Sequence, residues 1–144
     1  MAAKRKKAPA KKKSDSATLV RVRKLVAALP DATEQSSWGS PTFRIRNRIF
    51  AMFADAGNNH GDGRAGLWCM STHESQDLLI RARPDRFFFP AYVGPSGWVG
   101  VYLDQRPDWG VVKDVMKDAY DMAYAKGPSK PSAKRKKKTA LRRR

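Results

Sequence analysis

Gly39 and Pro41, two residues apart, stop any helix from running through the stretch between Trp38 and Phe53. Beyond them, apolar Phe43 and Ile45 alternate with cationic Arg44 and Arg46, the period of a half-buried strand. The alternation breaks at Asn47, a residue that tolerates the left-handed backbone of a tight two-residue turn. The stretch from Ile49 to Ala54 is therefore expected to return antiparallel, giving a hairpin with Arg44, Arg46 and Arg48 at or near its exposed tip. Phe43 and Ile45 are its inward residues.

The rest of the chain supplies partners for that hairpin. Leu19, Val22, Leu25, Val26 and Leu29 recur at helical spacing, with Ser16 or a neighbour as N-cap and Pro30 as the stop. The segment from Asp55 to Arg64 is rich in Gly, Asn and Asp and lacks large apolar residues, so it reads as a long loop. A third strand comes next, at about Gly66 to Met70. Ser71 and Glu74 have capping-box spacing for a second helix that turns Leu78 and Leu79 inward and stops at Pro84. Asp85 to Pro90 reads as a fourth strand, Val93 to Gly97 as a tight turn, and Trp98 to Leu103 as a central fifth strand. Asp108 caps a last helix whose stripe of Val112, Val115, Met116, Ala119, Met122 and Ala123 ends at Gly127 and Pro128. The expectation is α+β in the order αβββαββα, two layers with a five-stranded antiparallel sheet covered by helices.

With Gly39, Pro41, Phe43 and Phe50 in place, this stretch resembles the hallmark of the MmcQ/YjbR-like proteins, a Gly-x-Pro-x-Phe segment followed by a short hairpin and a second Phe. Trp38, the aromatic run ending in Phe89 and Pro90, the pair Gly97 and Trp98, and the closing helix with Trp109 extend the resemblance over roughly residues 16 to 126. These are structural motif positions. Where the family usually has Gly at the turn, this chain has Asn47. The resemblance implies a small YjbR/CyaY-like α+β fold and the "double wing" mode of DNA binding proposed for the family, a proposal drawn from shape.

Charge divides the chain in three. Residues 1–13 hold seven Lys/Arg (Lys4, Arg5, Lys6, Lys7, Lys11, Lys12, Lys13) and residues 127–144 hold nine, among them Lys134, Arg135, Lys136, Lys137, Lys138, Arg142, Arg143 and Arg144. Neither segment has an acid, so together they carry +16 of the net +17, and the domain at 14–126 is close to neutral. Like charge, Pro and the scarcity of apolar residues predict disordered arms about one folded domain. The C-terminal segment resembles linker-histone and bacterial histone-like tails in composition.

Several function classes fit poorly. No apolar run approaches the roughly 20 residues of a membrane helix. His60 and His73 stand 13 residues apart without nearby Cys or paired carboxylates, so neither a metal nor another cofactor is expected. Gly61-Asp62-Gly63 lacks the Lys-Ser/Thr of a phosphate loop, and Ser36, Ser37 and Ser40 have no adjacent base. Cys69 sits in the apolar run Leu67 to Met70 and reads as a small buried thiol.

The expectation is a non-enzymatic, cytoplasmic, nucleoid-associated protein that binds nucleic acid, duplex DNA foremost. The arms contact phosphates, and Arg44, Arg46, Arg48 and Arg64 act from the domain. Two alternatives stand beside it: a protein-interaction module using a sheet like that of frataxins or secretion chaperones, and an enzyme or small-ligand-binding domain using a pocket near Trp38 and Tyr92.

Overall fold

The computed structural model describes residues 17–37, 39–55 and 63–128. Helix α1 (17–27) leads into β1 (Thr33–Ser37), β2 (Ser40–Ile45), β3 (Arg48–Ala54) and β4 (Gly66–Cys69). Then come α2 (His73–Ala82), β5 (Phe87–Phe88), a 3-10 turn (Gly94–Ser96), β6 (Val99–Tyr102) and α3 (Trp109–Lys126). All pairings are antiparallel, in the order β1-β2-β3-β4-β6-β5. The fold is α+β as expected, but the sheet has six strands, not five, and the order is αββββαββα.

The added strand is β1, whose Thr-Glu-Gln-Ser-Ser sequence has no apolar residue to betray it. Its backbone pairs with β2 along its whole length. A two-pronged ion pair between Arg23 and Glu34, at 2.8 and 2.7 Å, ties it to α1. An exposed edge strand needs no buried face, so its signal lies in pairing and not in pattern. The fourth expected strand shrinks to Phe87 and Phe88, because Arg86 and Phe87 both donate backbone bonds to the Arg83 carbonyl and hold the preceding residues in a turn.

The hairpin forms with Ile45 opposite Arg48, so its loop is Arg46-Asn47, with φ of 54° and 67°. Two successive left-handed residues match the twist of the flanking strands. The register slips between Phe43 and Arg44, leaving Phe50 as an extra residue in β3. That bulge lets Phe50 join Ala51 and Phe53 in the core shared with Val22 and Val26 of α1 and Val112, Met116, Ala119 and Ala123 of α3. Tyr120 completes it, edge-on to Phe50 at 5.6 Å, with its hydroxyl donating to the Pro30 carbonyl at 2.6 Å.

Helix α2 begins one residue later than its capping-box spacing suggests. Thr72, not Ser71, is the N-cap, accepting from the Ser75 amide. The phase shifts with it: Leu78 is 58% exposed, and the fully packed residue of this helix is Gln76. Asp108 caps α3 as expected, its carboxylate accepting from the amides of Gly110 and Val111. Among the described residues, no helix is long and apolar enough to cross a membrane.

Candidate nucleic-acid interface

The three hairpin arginines do not project as one row. Arg44, half-buried in mid-strand, donates to Thr42 Oγ1 at 3.3 Å and to Ser37 Oγ at 3.0 Å, and so braces β1 against β2. Arg46 lies over the Tyr124 ring, 4.2 Å from its centroid, and donates to the Tyr124 hydroxyl at 3.1 Å. Arg48 donates from Nε to the Gly127 carbonyl at 3.0 Å. Arg46 and Arg48 thus fasten the hairpin tip to the C-terminal end of α3, where Lys126 also lies. Cations there face the negative end of the helix dipole.

This juncture has a second property. Gly127 and Pro128 are the last described residues, so the basic C-terminal segment leaves the domain beside Arg46, Arg48 and Lys126. Arg46 stays exposed, and each guanidinium has more donors than its described bonds use. The hairpin tip, the helix end and the root of the tail form one cationic corner.

Arg64 is not part of it. It precedes β4 at the far end of the sheet from the hairpin tip, pairs through both forks with Asp104 at 2.8 and 2.9 Å, and lies 3.5 Å from the Tyr102 ring centroid. Its charge is answered locally. The arm residues from Lys4 to Lys13 and from Lys134 to Arg144 lie outside the described residues, as do Trp38 and His60.

A family model described as YjbR matches residues 27–122. The chain belongs to the YjbR family. No curated protein matches it. Among solved structures it is similar to the crystal structure of Deinococcus radiodurans protein DR2400, whose domain is DUF419. The two share 19% identity, with a TM-score of 0.61 over 79% of this chain and 83% of that one. At that identity the likeness concerns the fold.

The YjbR motif residues hold this frame. Gly39 turns at φ 76°, Pro41 lies in β2, and Phe43 and Phe50 are fully buried. Pro90 is also fully buried, and Trp98 is half-buried against the core. Gly97 has φ 101°, and a Cβ there would stand 3.0 Å from the His73 amide nitrogen and 3.1 Å from the Ser71 carbonyl oxygen. The 3-10 turn therefore sits flush on the start of α2. Gln76 Nε2 donates to the carbonyls of Gly94 at 2.8 Å and Trp98 at 2.6 Å, while a His73 ring nitrogen lies 2.7 Å from the Pro95 carbonyl.

Sequence reasoning missed Gln76. Its only mark there is a polar residue on a helix whose apolar neighbours frame a buried stripe. Tyr92, beside which the alternative reading places a pocket, is 77% exposed with φ 63°, and Phe89 is 58% exposed. Trp98 goes with the core instead. Cys69 is fully buried, and desolvation pushes its thiol well above the usual range, which keeps it protonated. His73 is exposed with its ring held at Pro95.

Proposed function

We propose that this YjbR-family protein binds nucleic acid and is not an enzyme, with duplex DNA as its principal partner and the nucleoid as its place of work in the cytoplasm. The observation that carries the reading is the segregation of charge: +16 in two terminal segments without a single acid, against a domain close to neutral. Lysine-rich segments neutralise phosphates and release counterions, a term that ignores base sequence. The domain's part is to seat the C-terminal arm beside Arg46 and Arg48, so that the corner adds phosphate contacts near the arm's root. In this form the winged proposal for the family becomes narrower: hairpin arginines engaged with α3 supply charge at one corner and no row of base-reading forks.

The test is a salt titration of affinity for two unrelated duplexes, using the full chain and a chain lacking both arms. With about half of the sixteen cations engaged, the slope of log affinity against log salt should be on the order of −6 to −9, and nearly equal for both duplexes. A slope shallower than about −3, or one that survives loss of the arms, would remove counterion release by the arms as the source of affinity.

A further inference from the structure

Between α2 and α3 runs an open cleft of about 510 Å³. Leu78 and Leu79 line it from one helix, Val111, Asp114, Val115 and Asp118 from the other. With Ser75 added to the first set, both follow helical spacing, so two stripes face each other across the groove. Its lips are apolar and wet: Leu78 is 58% and Val111 38% exposed, two of the few exposed large apolar side chains among the described residues. Its α3 wall carries two carboxylates one turn apart. Among the described residues neither Asp114 nor Asp118 has an ion pair, whereas Asp77, Asp85, Asp104 and Asp121 each have one.

An apolar trough beside two unanswered carboxylates calls for a segment with an apolar residue set among cations. The chain contains one. Leu141 stands between Lys134-Arg135-Lys136-Lys137-Lys138 and Arg142-Arg143-Arg144. The N-terminal arm does not qualify, since only Ala and Pro lie between its cations. Reach is ample. Asp114 lies twelve residues before Lys126, about 18 Å back along α3 at 1.5 Å per residue. Leu141 lies thirteen steps along the chain from Pro128, enough to span up to about 43 Å when extended.

We propose that the C-terminal segment of the same chain docks into this cleft, Leu141 on the apolar floor and the flanking Lys/Arg on Asp114 and Asp118. The cleft is then an intramolecular seat for the segment that also meets phosphates. The contact stands apart from the nucleic-acid reading, because its test contains no nucleic acid.

The experiment uses the full chain with Thr139→Cys carrying a nitroxide label; Cys69, fully buried, is protected from the reagent. Paramagnetic broadening is read at the methyls of Leu78, Leu79, Val111 and Val115. Docking predicts strong broadening there that does not change on tenfold dilution. It should fall about threefold or more in Asp114→Asn/Asp118→Asn, and similarly in Leu141→Ser. At about 1 M NaCl, where the Debye length is about 3 Å, it should weaken further. Neither variant touches the buried core, so loss of folding does not obscure the outcome. Even broadening over all surface methyls would overturn the proposal, as would indifference to both variants. Broadening that appears only when labelled chains are mixed with isotope-labelled unmodified ones would assign the cleft to a second copy, and overturn it too.

Discussion

Gln76 is the residue whose replacement tests most directly how the tight turn is held on α2. Its side chain is 7% exposed, and its amide donates to two backbone carbonyls, Gly94 at 2.8 Å and Trp98 at 2.6 Å. The Gly94 carbonyl keeps a second partner, the Gly97 amide at 2.9 Å. Gln76→Leu therefore removes two hydrogen bonds, at about 1 kcal/mol each, and leaves the Trp98 carbonyl short of its side-chain donor for a further 1 to 2 kcal/mol or so. A loss of about 3 kcal/mol should lower the melting temperature by roughly 12 °C in a domain of this size. Gln76→Glu adds a pH signature. Ionised, it sets carboxylate oxygens against carbonyl oxygens in a dry site, so its folded-state pKa must rise above the ordinary 4.3 or so of the unfolded chain. Stability is then fully present below about pH 4.3, falls as pH rises from there to the folded-state pKa, and stays low beyond it. Urea melts of wild type, Gln76→Leu and Gln76→Glu between about pH 4 and 8 make the comparison. Should Gln76→Glu parallel the wild type across that range, its side chain must have turned to water. The two carbonyl bonds would then not be what holds the turn.

Other positions yield shorter tests. Gly97→Ala places a methyl against backbone atoms of α2 at a left-handed φ of 101°, whereas Gly127→Ala, at φ 85°, meets open space. Both should lose about 1 to 2 kcal/mol of backbone preference, and Gly97→Ala roughly 1 to 3 kcal/mol more from overpacking, read by denaturant melts. Equal losses would mean that the α2 contact yields. Arg46→Gln with Arg48→Gln should make the salt slope of duplex binding shallower by about 1 to 2, while Arg64→Gln leaves it unchanged because Asp104 already answers that charge. The same titration as for the arms reads both variants. Cys69, buried with its thiol held protonated, should resist a disulfide reagent in the native protein and react only at the rate of unfolding, which a stopped-flow comparison with denatured protein can check.

What the sequence made legible is what local chemistry decides. Gly39, Pro41 and the alternation from Phe43 to Ile45 announce the hairpin, and both loop residues adopt the left-handed backbone that Asn47 invites. The α3 stripe and its Asp108 cap were equally plain. What stayed hidden is decided by partners far along the chain. Strand β1 exists because β2 offers it a backbone edge, and its own side chains carry no pattern. The contacts of Arg46 and Arg48 have no local sign because Tyr124 and Gly127, which they grip, lie 78 and 79 residues away. The same holds for charge. Within the domain, Arg23, Arg64, Arg81, Arg83 and Lys117 each meet a carboxylate. Such exposed pairs contribute about 0 to 1 kcal/mol each, too little to explain the fold. They do answer part of the domain's charge in place, away from the corner at Arg46, Arg48 and Lys126. In the proposed reading, a domain of near-zero net charge leaves the arms to draw a polyanion from a distance, and the corner at Arg46 and Arg48 would come within reach of a phosphate only after they engage.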